Sequence, residues 1–452
     1  MSDSLQTQSH KTHRIFREFF YFSKMKIFFM IAACLAGAAV NAQFNVSVQS
    51  APSFASAEAI LYTLSGSKDV ISSRAVKKNN SWTFKVPQAY SGMMKLYFPE
   101  TNATVNLVSE NKNISMKLET TADQITRVIY EDDTNRLMDA VQDKQRKNEV
   151  VFQALVQIAE YYRPDSEFGK ALVTEIKYLS KDDVIDATKN PFVHYYHTSY
   201  NRFLVEQSAK TPPGQKEIAD FISNSGGMLE TSSLLRPLLV NFLNAGGSAQ
   251  VDSSVDGLLA RLDVESPRGQ TVLSELIDLF DVYAMKAQKA KYLSLATNLK
   301  CTITDRLAAT IKSNKDVEVG AVFPDYQFKA PVNTKARNLH GVQADQKIVV
   351  FWSSGCAHCD TELPKILEKY AALKARNIEV IGFALDSDRE AYARKSSNYP
   401  WINDTELRGW NSSYADTYNV HATPTYFILD AANKIIAKPE HVSDVLQFLN
   451  LK

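Results

Sequence analysis

Two cysteines at a spacing of three, Cys356 and Cys359, stand in "FWSSGCAHCDTELP" (351–364). A pair so placed can exchange dithiol for disulfide, supply half of a metal site, or sit as two inert thiols. A zinc centre needs three or four ligands. The chain has no second Cys-x-x-Cys pair, and Cys301 stands alone in a stretch of helical periodicity. His358, between the two cysteines, would complete a soft donor set for Cu(I), so a copper-handling protein is kept as an alternative. The small polar "SSG" ahead of Cys356 favours an exposed turn over two buried thiols. No metal site is predicted.

Other side chains invite chemistry less strongly. His194 and His197 in "FVHYYHTSYNRF" have ligand-like spacing, but no carboxylate pattern completes a site, and packing at a helix interface accounts for them better. Asp386 and Asp388 follow a strand, and a solvated loop is the default for them. Trp352, Trp401 and Trp410 are candidates for the rim of the active-site face, with packing inside the domain the alternative for Trp352.

The elements around the pair decide between the readings. "KIVVFW" (347–352) is a continuous apolar strand, and Leu363, Ile366, Leu367, Tyr370 and Leu373 mark one face of a following helix. Cys356 then falls at a helix N-terminus, beside unpaired backbone N–H groups and the positive end of the helix dipole. That setting lowers a thiol pKa below its free value of about 8.5 and makes Cys356 the attacking thiolate. Cys359, one turn on, faces the same way and is placed to resolve a mixed disulfide. "IEVIGFALD" (378–386) is a second strand, parallel to the first across the helix. "TYFILD" (425–430) and "KIIAK" (434–438), joined through Ala431-Ala432-Asn433, form an antiparallel pair before a last amphipathic helix.

The rest of the chain is organised differently. With 452 residues, two or three domains are expected. The 51 basic and 50 acidic side chains nearly cancel, so nothing points to nucleic acid. "MKIFFMIAACLAGAAVNA" (25–42) has the basic start, short apolar run and small residues of a cleaved export signal, with 1–24 as an upstream extension. Residues 43–125 alternate apolar and polar positions between turns and read as a small antiparallel β module. Residues 126–315 switch to helical periodicity, and 316–452 return to alternating strand and helix.

Residues 318–452 resemble the extracytoplasmic TlpA/ResA-like thiol–disulfide oxidoreductases of thioredoxin fold. The likeness covers the last third of the chain and rests on "FWSSGCAHCDTELP", "VGAVFPDYQF" (319–328) and "NVHATPTYFILDAANKII" (419–436). It implies a redox-active Cys356/Cys359 pair and a cis Pro424 opposite it. It further implies that the Thr423 backbone is open to a substrate strand, and that Glu362 takes the proton of the resolving thiol. The sequence departs from thioredoxin in having Val350 where that protein buries an aspartate, Gly355 before the first cysteine, and Ala357-His358 between the two. A histidine at 358, as in the oxidase DsbA, favours a more oxidising pair and places that ring at the substrate face; Glu362 and the TlpA-like frame favour a reductase.

The expectation is therefore an exported, multidomain protein: a β module, an α-helical middle region and a C-terminal α/β thioredoxin-like fold. It acts without a diffusible cofactor on disulfides of envelope proteins in the periplasm or cell envelope, and is recharged by a membrane or periplasmic thiol donor. The alternative of another class is an envelope ligand- or partner-binding protein whose cysteine pair is structural.

Overall fold

The computed structural model describes residues 44–205, 212–247 and 250–451. The leader assigned to 25–42 lies outside the described residues. Among the described residues, no helix is long and apolar enough to cross a membrane.

The first part holds strands β1 (Phe44–Ser50), β2 (Glu58–Ser65), β3 (Lys68–Val76), β4 (Ser81–Val86), β5 (Ser91–Phe98), β6 (Ala103–Glu110), β7 (Ile114–Thr120) and β8 (Ile125–Tyr130). They form two four-stranded sheets, in orders β4-β1-β7-β8 and β3-β2-β5-β6. In "SWTFKV" every second side chain turns inward, burying Trp82, Phe84 and Val86. Trp82, Phe54 and Phe98 meet edge-to-face at centroid separations of 5.0–6.2 Å.

Two expectations need correction. The module runs on through β8 to Tyr130 rather than stopping at 125, because β8 pairs with β7. It is also not wholly antiparallel: β1 and β7 run parallel, Val46 opposite Ile114. Those strands are not chain neighbours, so no hairpin turn dictates their sense.

Helices from Asp133–Val150 to Asp305–Asp316 make up the middle region around one core that includes Phe192, Leu235, Leu238, Leu276, Phe280, Tyr292 and Leu307. Its first helix docks on the β6 edge. The Asn135 amide donates to the Val108 carbonyl at 2.9 Å and accepts from the Val108 N–H at 2.7 Å, which blunts an open strand. The first two parts also meet at Glu275, which accepts from the Ser67 N–H and hydroxyl. The neighbouring Gly66, at φ +63°, passes so close that a Cβ there would lie 2.5 Å from Glu275 Oε1.

The last part is a five-stranded mixed sheet in order β11-β10-β9-β12-β13. Its strands are β9 (Gln346–Trp352), β10 (Ile378–Ala384), β11 (Ile402–Thr405), β12 (Thr425–Asp430) and β13 (Ile435–Ala437). Strands β9, β10 and β11 are parallel, and β12 runs antiparallel to β9 and β13. Alternate side chains of β9 feed two cores. Val349 and Phe351 pack with Phe323, Tyr414 and Tyr418 on one face. Ile348, Val350 and Trp352 pack with Leu363 and Ile366 of the helix Ala357–Ala375 on the other. Strand β11 lies between the two strands read from sequence at 378–386 and 425–430, where no strand was expected.

Candidate active site

Strand β9 delivers the chain to Ser353, Ser354 and Gly355, and the helix Ala357–Ala375 begins immediately after Cys356. Cys356 is the helix N-cap, with φ −88° and ψ 109°, and its sulfur accepts from the Cys359 N–H at 3.1 Å. The structure records the two residues as a disulfide, Cα atoms 5.2 Å apart. Cys356 is half-buried and Cys359 fully buried, so the sulfur at the helix terminus is the more accessible of the two. The Cys359 N–H and the positive end of the helix dipole both stand at this sulfur.

Two further segments frame the pair. Thr423–Pro424 is a cis peptide, and the Thr423 carbonyl oxygen lies 3.3 Å from Cys356 Sγ. Asp386, just beyond β10, accepts from the Ser354 N–H at 3.0 Å and from its hydroxyl at 2.6 Å. It is 5% exposed, so it anchors the turn before Cys356 and is not the solvated loop residue expected. Asp388 caps the helix Arg389–Ser396.

Glu362 sits one turn past Cys359 on the same helix. Its Oε2 accepts from the Tyr426 hydroxyl at 2.9 Å and from the Val442 N–H at 3.1 Å, while Oε1 faces His441 Nδ1 at 3.2 Å. The carboxylate thereby ties the cysteine-bearing helix to β12 and to the C-terminal helix Val442–Phe448. Burial and this carboxylate push the Tyr426 phenol well above its ordinary range, so it stays a donor. Sequence reasoning missed Tyr426 and His441, because their chain distance from Glu362 leaves no local signal.

The remaining candidates separate. His358 is exposed on the first helical turn, beside the pair. Trp352 is corrected: it has no exposed surface, and it packs against Tyr392 and Tyr399 at 6.1 and 5.5 Å. As the last residue of β9 it points to the face covered by the helix, so it supports the turn from beneath and does not line the groove. Trp401 is buried likewise. Trp410, 54% exposed, borders a cleft of about 940 Å³ where all three parts meet, together with Lys68, Arg236 and His421. His194 and His197 lie within the helix Pro191–Phe203, where Ile185 O and Asn201 Nδ2 are their ring contacts at 2.9 and 3.1 Å.

Known proteins are similar to the C-terminal part of the chain. The Redoxin family profile matches residues 318–446. Thiol-disulfide oxidoreductase ResA of Bacillus anthracis is 30% identical over 125 residues, covering 26% of this chain and 68% of that protein. ResA of Oceanobacillus iheyensis is 27% identical over 119 residues, 25% of this chain; the match spans 62% of the relative's length. Among solved structures, a domain of a possible thiol-disulfide isomerase from Cytophaga hutchinsonii is similar at 28% identity, over 29% of this chain and 91% of that one, with a TM-score of 0.26. The thioredoxin domain of a Bacteroides vulgatus thiol-disulfide oxidoreductase is similar at 21% identity, over 29% and 96% of the two chains, with a TM-score of 0.27. Through its C-terminal third, the chain belongs to the ResA-like thiol-disulfide oxidoreductases of the Redoxin family.

Proposed function

We propose that the protein exchanges disulfides with other proteins of the cell envelope, in the reducing direction, through Cys356 and Cys359. The Cys356 thiolate attacks one sulfur of a substrate disulfide, forming a Cys356–substrate disulfide and releasing the other sulfur as thiolate. Cys359, deprotonated, then attacks Cys356 Sγ and releases the second substrate sulfur. The substrate gains two electrons and the pair becomes the Cys356–Cys359 disulfide, to be reduced again by a dithiol donor at the membrane or in the periplasm.

Thr423 offers its backbone to the segment flanking the substrate disulfide, and Pro424 shapes that edge. His358 stands at the same face. Glu362 takes the proton from Cys359, with the exposed His441 at its Oε1 as the path to water. The export signal read at 25–42 supplies the compartment. The observation that carries this reading is the half-buried Cys356 at a helix N-terminus, 3.3 Å from the Thr423 carbonyl, with Cys359 buried behind it.

Insulin reduction driven by dithiothreitol tests it. The protein is expected to accelerate precipitation of the insulin B chain, and Cys356→Ser to abolish the acceleration. Wild-type protein indistinguishable from the uncatalysed reaction sinks the proposal.

A further inference from the structure

The loop that carries Thr423 is held from outside its own domain. Asn419 donates through Nδ2 to Asp281 Oδ2 at 2.6 Å, and the same nitrogen lies 3.4 Å from Asn314 Oδ1. Both acceptors belong to the middle region, on the helices Pro267–Val282 and Asp305–Asp316. Asn419 Oδ1 in turn meets His421 Nε2 at 3.1 Å, and that nitrogen stands 3.7 Å from Asp281 Oδ2. Lys289 pairs with the other oxygen of Asp281 at 2.7 Å, which fixes the carboxylate in place.

Asn419 has φ 50°, a left-handed conformation in which the chain reverses between the helix Ser413–Thr417 and the run to Thr423. The loop is thus clamped at 419–421 by the middle region and meets Cys356 at 423. A protein disulfide arrives on an extended segment that has to pair with the Thr423 backbone. A small disulfide needs only the sulfur. The position of that backbone therefore matters for one class of substrate and not for the other.

We propose that Asp281 is a positioning residue for disulfide exchange. By holding Asn419, which in turn contacts His421, it presets the Thr423 backbone beside Cys356, so that the middle region governs productive binding of protein disulfides. Pre-ordering the loop removes a cost otherwise met on substrate binding, so loss of the clamp appears in KM before kcat. The inference rests on the exchange activity proposed above.

The test uses the full chain, with insulin and hydroxyethyl disulfide as the two substrates and dithiothreitol as reductant. Asp281→Ala removes the acceptor and suits the helix. It is expected to raise KM for insulin by about tenfold relative to KM for hydroxyethyl disulfide, with kcat for insulin within about twofold. Asp281→Asn keeps an acceptor oxygen and restores most of the affinity. Asn419→Gly keeps the left-handed backbone, removes the amide and reproduces Asp281→Ala, and the double variant is no worse than either single one. An unchanged insulin KM in Asp281→Ala overturns the inference alone. So does a loss shared equally by both substrates and tracking a lowered thermal midpoint, which is the mark of a merely structural contact. A wild-type chain inactive on both substrates takes this inference and the proposed activity down together.

Discussion

Glu275 and Ser67 are 208 positions apart in the chain, yet the carboxylate accepts from the serine N–H at 2.7 Å and from its hydroxyl at 2.8 Å. The same carboxylate, with no exposed surface, also pairs with Arg236 and Arg306, both at 3.0 Å. One buried acid thus joins the β module to the helical region. Asp278 shares the two guanidinium groups at 3.5 and 2.9 Å. Glu275→Ala leaves Ser67 without its acceptor and the half-buried Arg236 and buried Arg306 with Asp278 as their remaining carboxylate, and should cost about 3–5 kcal/mol of stability. Urea unfolding measures it; a loss under about 1 kcal/mol would show that the junction is held by apolar packing instead.

The two thiols should differ in reactivity. In the reduced protein at mildly acidic pH, iodoacetamide is expected to label the half-buried Cys356 well before the buried Cys359. Peptide mapping after short exposures reads the order. Equal rates, or Cys359 first, would reverse the assignment of attacking and resolving sulfur.

The proton transfer proposed for Glu362 can be separated from its structural tie. Its Oε2 holds Tyr426 and the Val442 N–H, which a glutamine carbonyl can also do. Glu362→Gln should therefore keep stability within about 1 kcal/mol while slowing the step in which Cys359 releases the substrate. Glu362→Leu strands a backbone N–H and should lose about 1–3 kcal/mol. Trapping the mixed disulfide by acid quench distinguishes the duties: a lifetime unchanged in Glu362→Gln would leave this side chain a structural tie only.

His197 should make stability fall with acid. Burial, at 8% exposure, holds its pKa below the ordinary imidazole value and outweighs the opposing pull of Asp183. The unfolded chain then binds the proton more readily than the native one. Its contribution is complete above the unfolded pKa of about 6.5 and is lost as pH falls from there through the lowered native value. His421 is shifted in the same direction by burial and acts in the same sense. His197→Gln should flatten the dependence of the urea midpoint on pH below about 6.5. Identical slopes in variant and wild type would show that the ring titrates normally.

Residues 317–452 should fold alone. Val317 is 1% exposed within the C-terminal core, and the preceding helix ends at Asp316. The fragment keeps both cores of the mixed sheet but leaves Asp281 behind. Dispersed amide resonances and a cooperative thermal transition are the expected result; an insoluble or molten fragment would mean that the middle region is needed for the fold itself.

How much could be read in advance varied with the kind of information each residue carries. "KIVVFW" announced a buried strand because every one of its residues after Gln346 is covered on both faces. The place of Cys356 at a helix start followed from that strand and the apolar face beyond it. Strand β11, "INDT", gave no apolar signal: Asn403 and Asp404 are fully buried, and Asp404 is satisfied by the N–H groups of Lys329 and Ala330. Trp352 was ambiguous between the rim of the active-site face and the core because sequence alone does not say which face the last residue of a strand takes. The partners of Glu362, and the clamp on Asn419, join residues with no fixed spacing in the chain. Only the folded arrangement reveals them.

The parallel pairing of β1 with β7 also bears on how fast the first module can assemble. The Asn45 N–H meets Asn113 Oδ1 at 2.9 Å across 68 positions, so β1 does not reach β7 through a hairpin. Closing a flexible loop of that size carries an entropy cost of roughly 4 kcal/mol before the contact returns anything. Hairpins such as β5–β6 can form early and β1 can pair with β4 once residue 86 is present, while its other edge waits for the chain through β7. During synthesis or refolding, β1 therefore keeps one edge unpaired until β7 arrives. In that interval the open edge is a place where a chaperone would prevent mispairing.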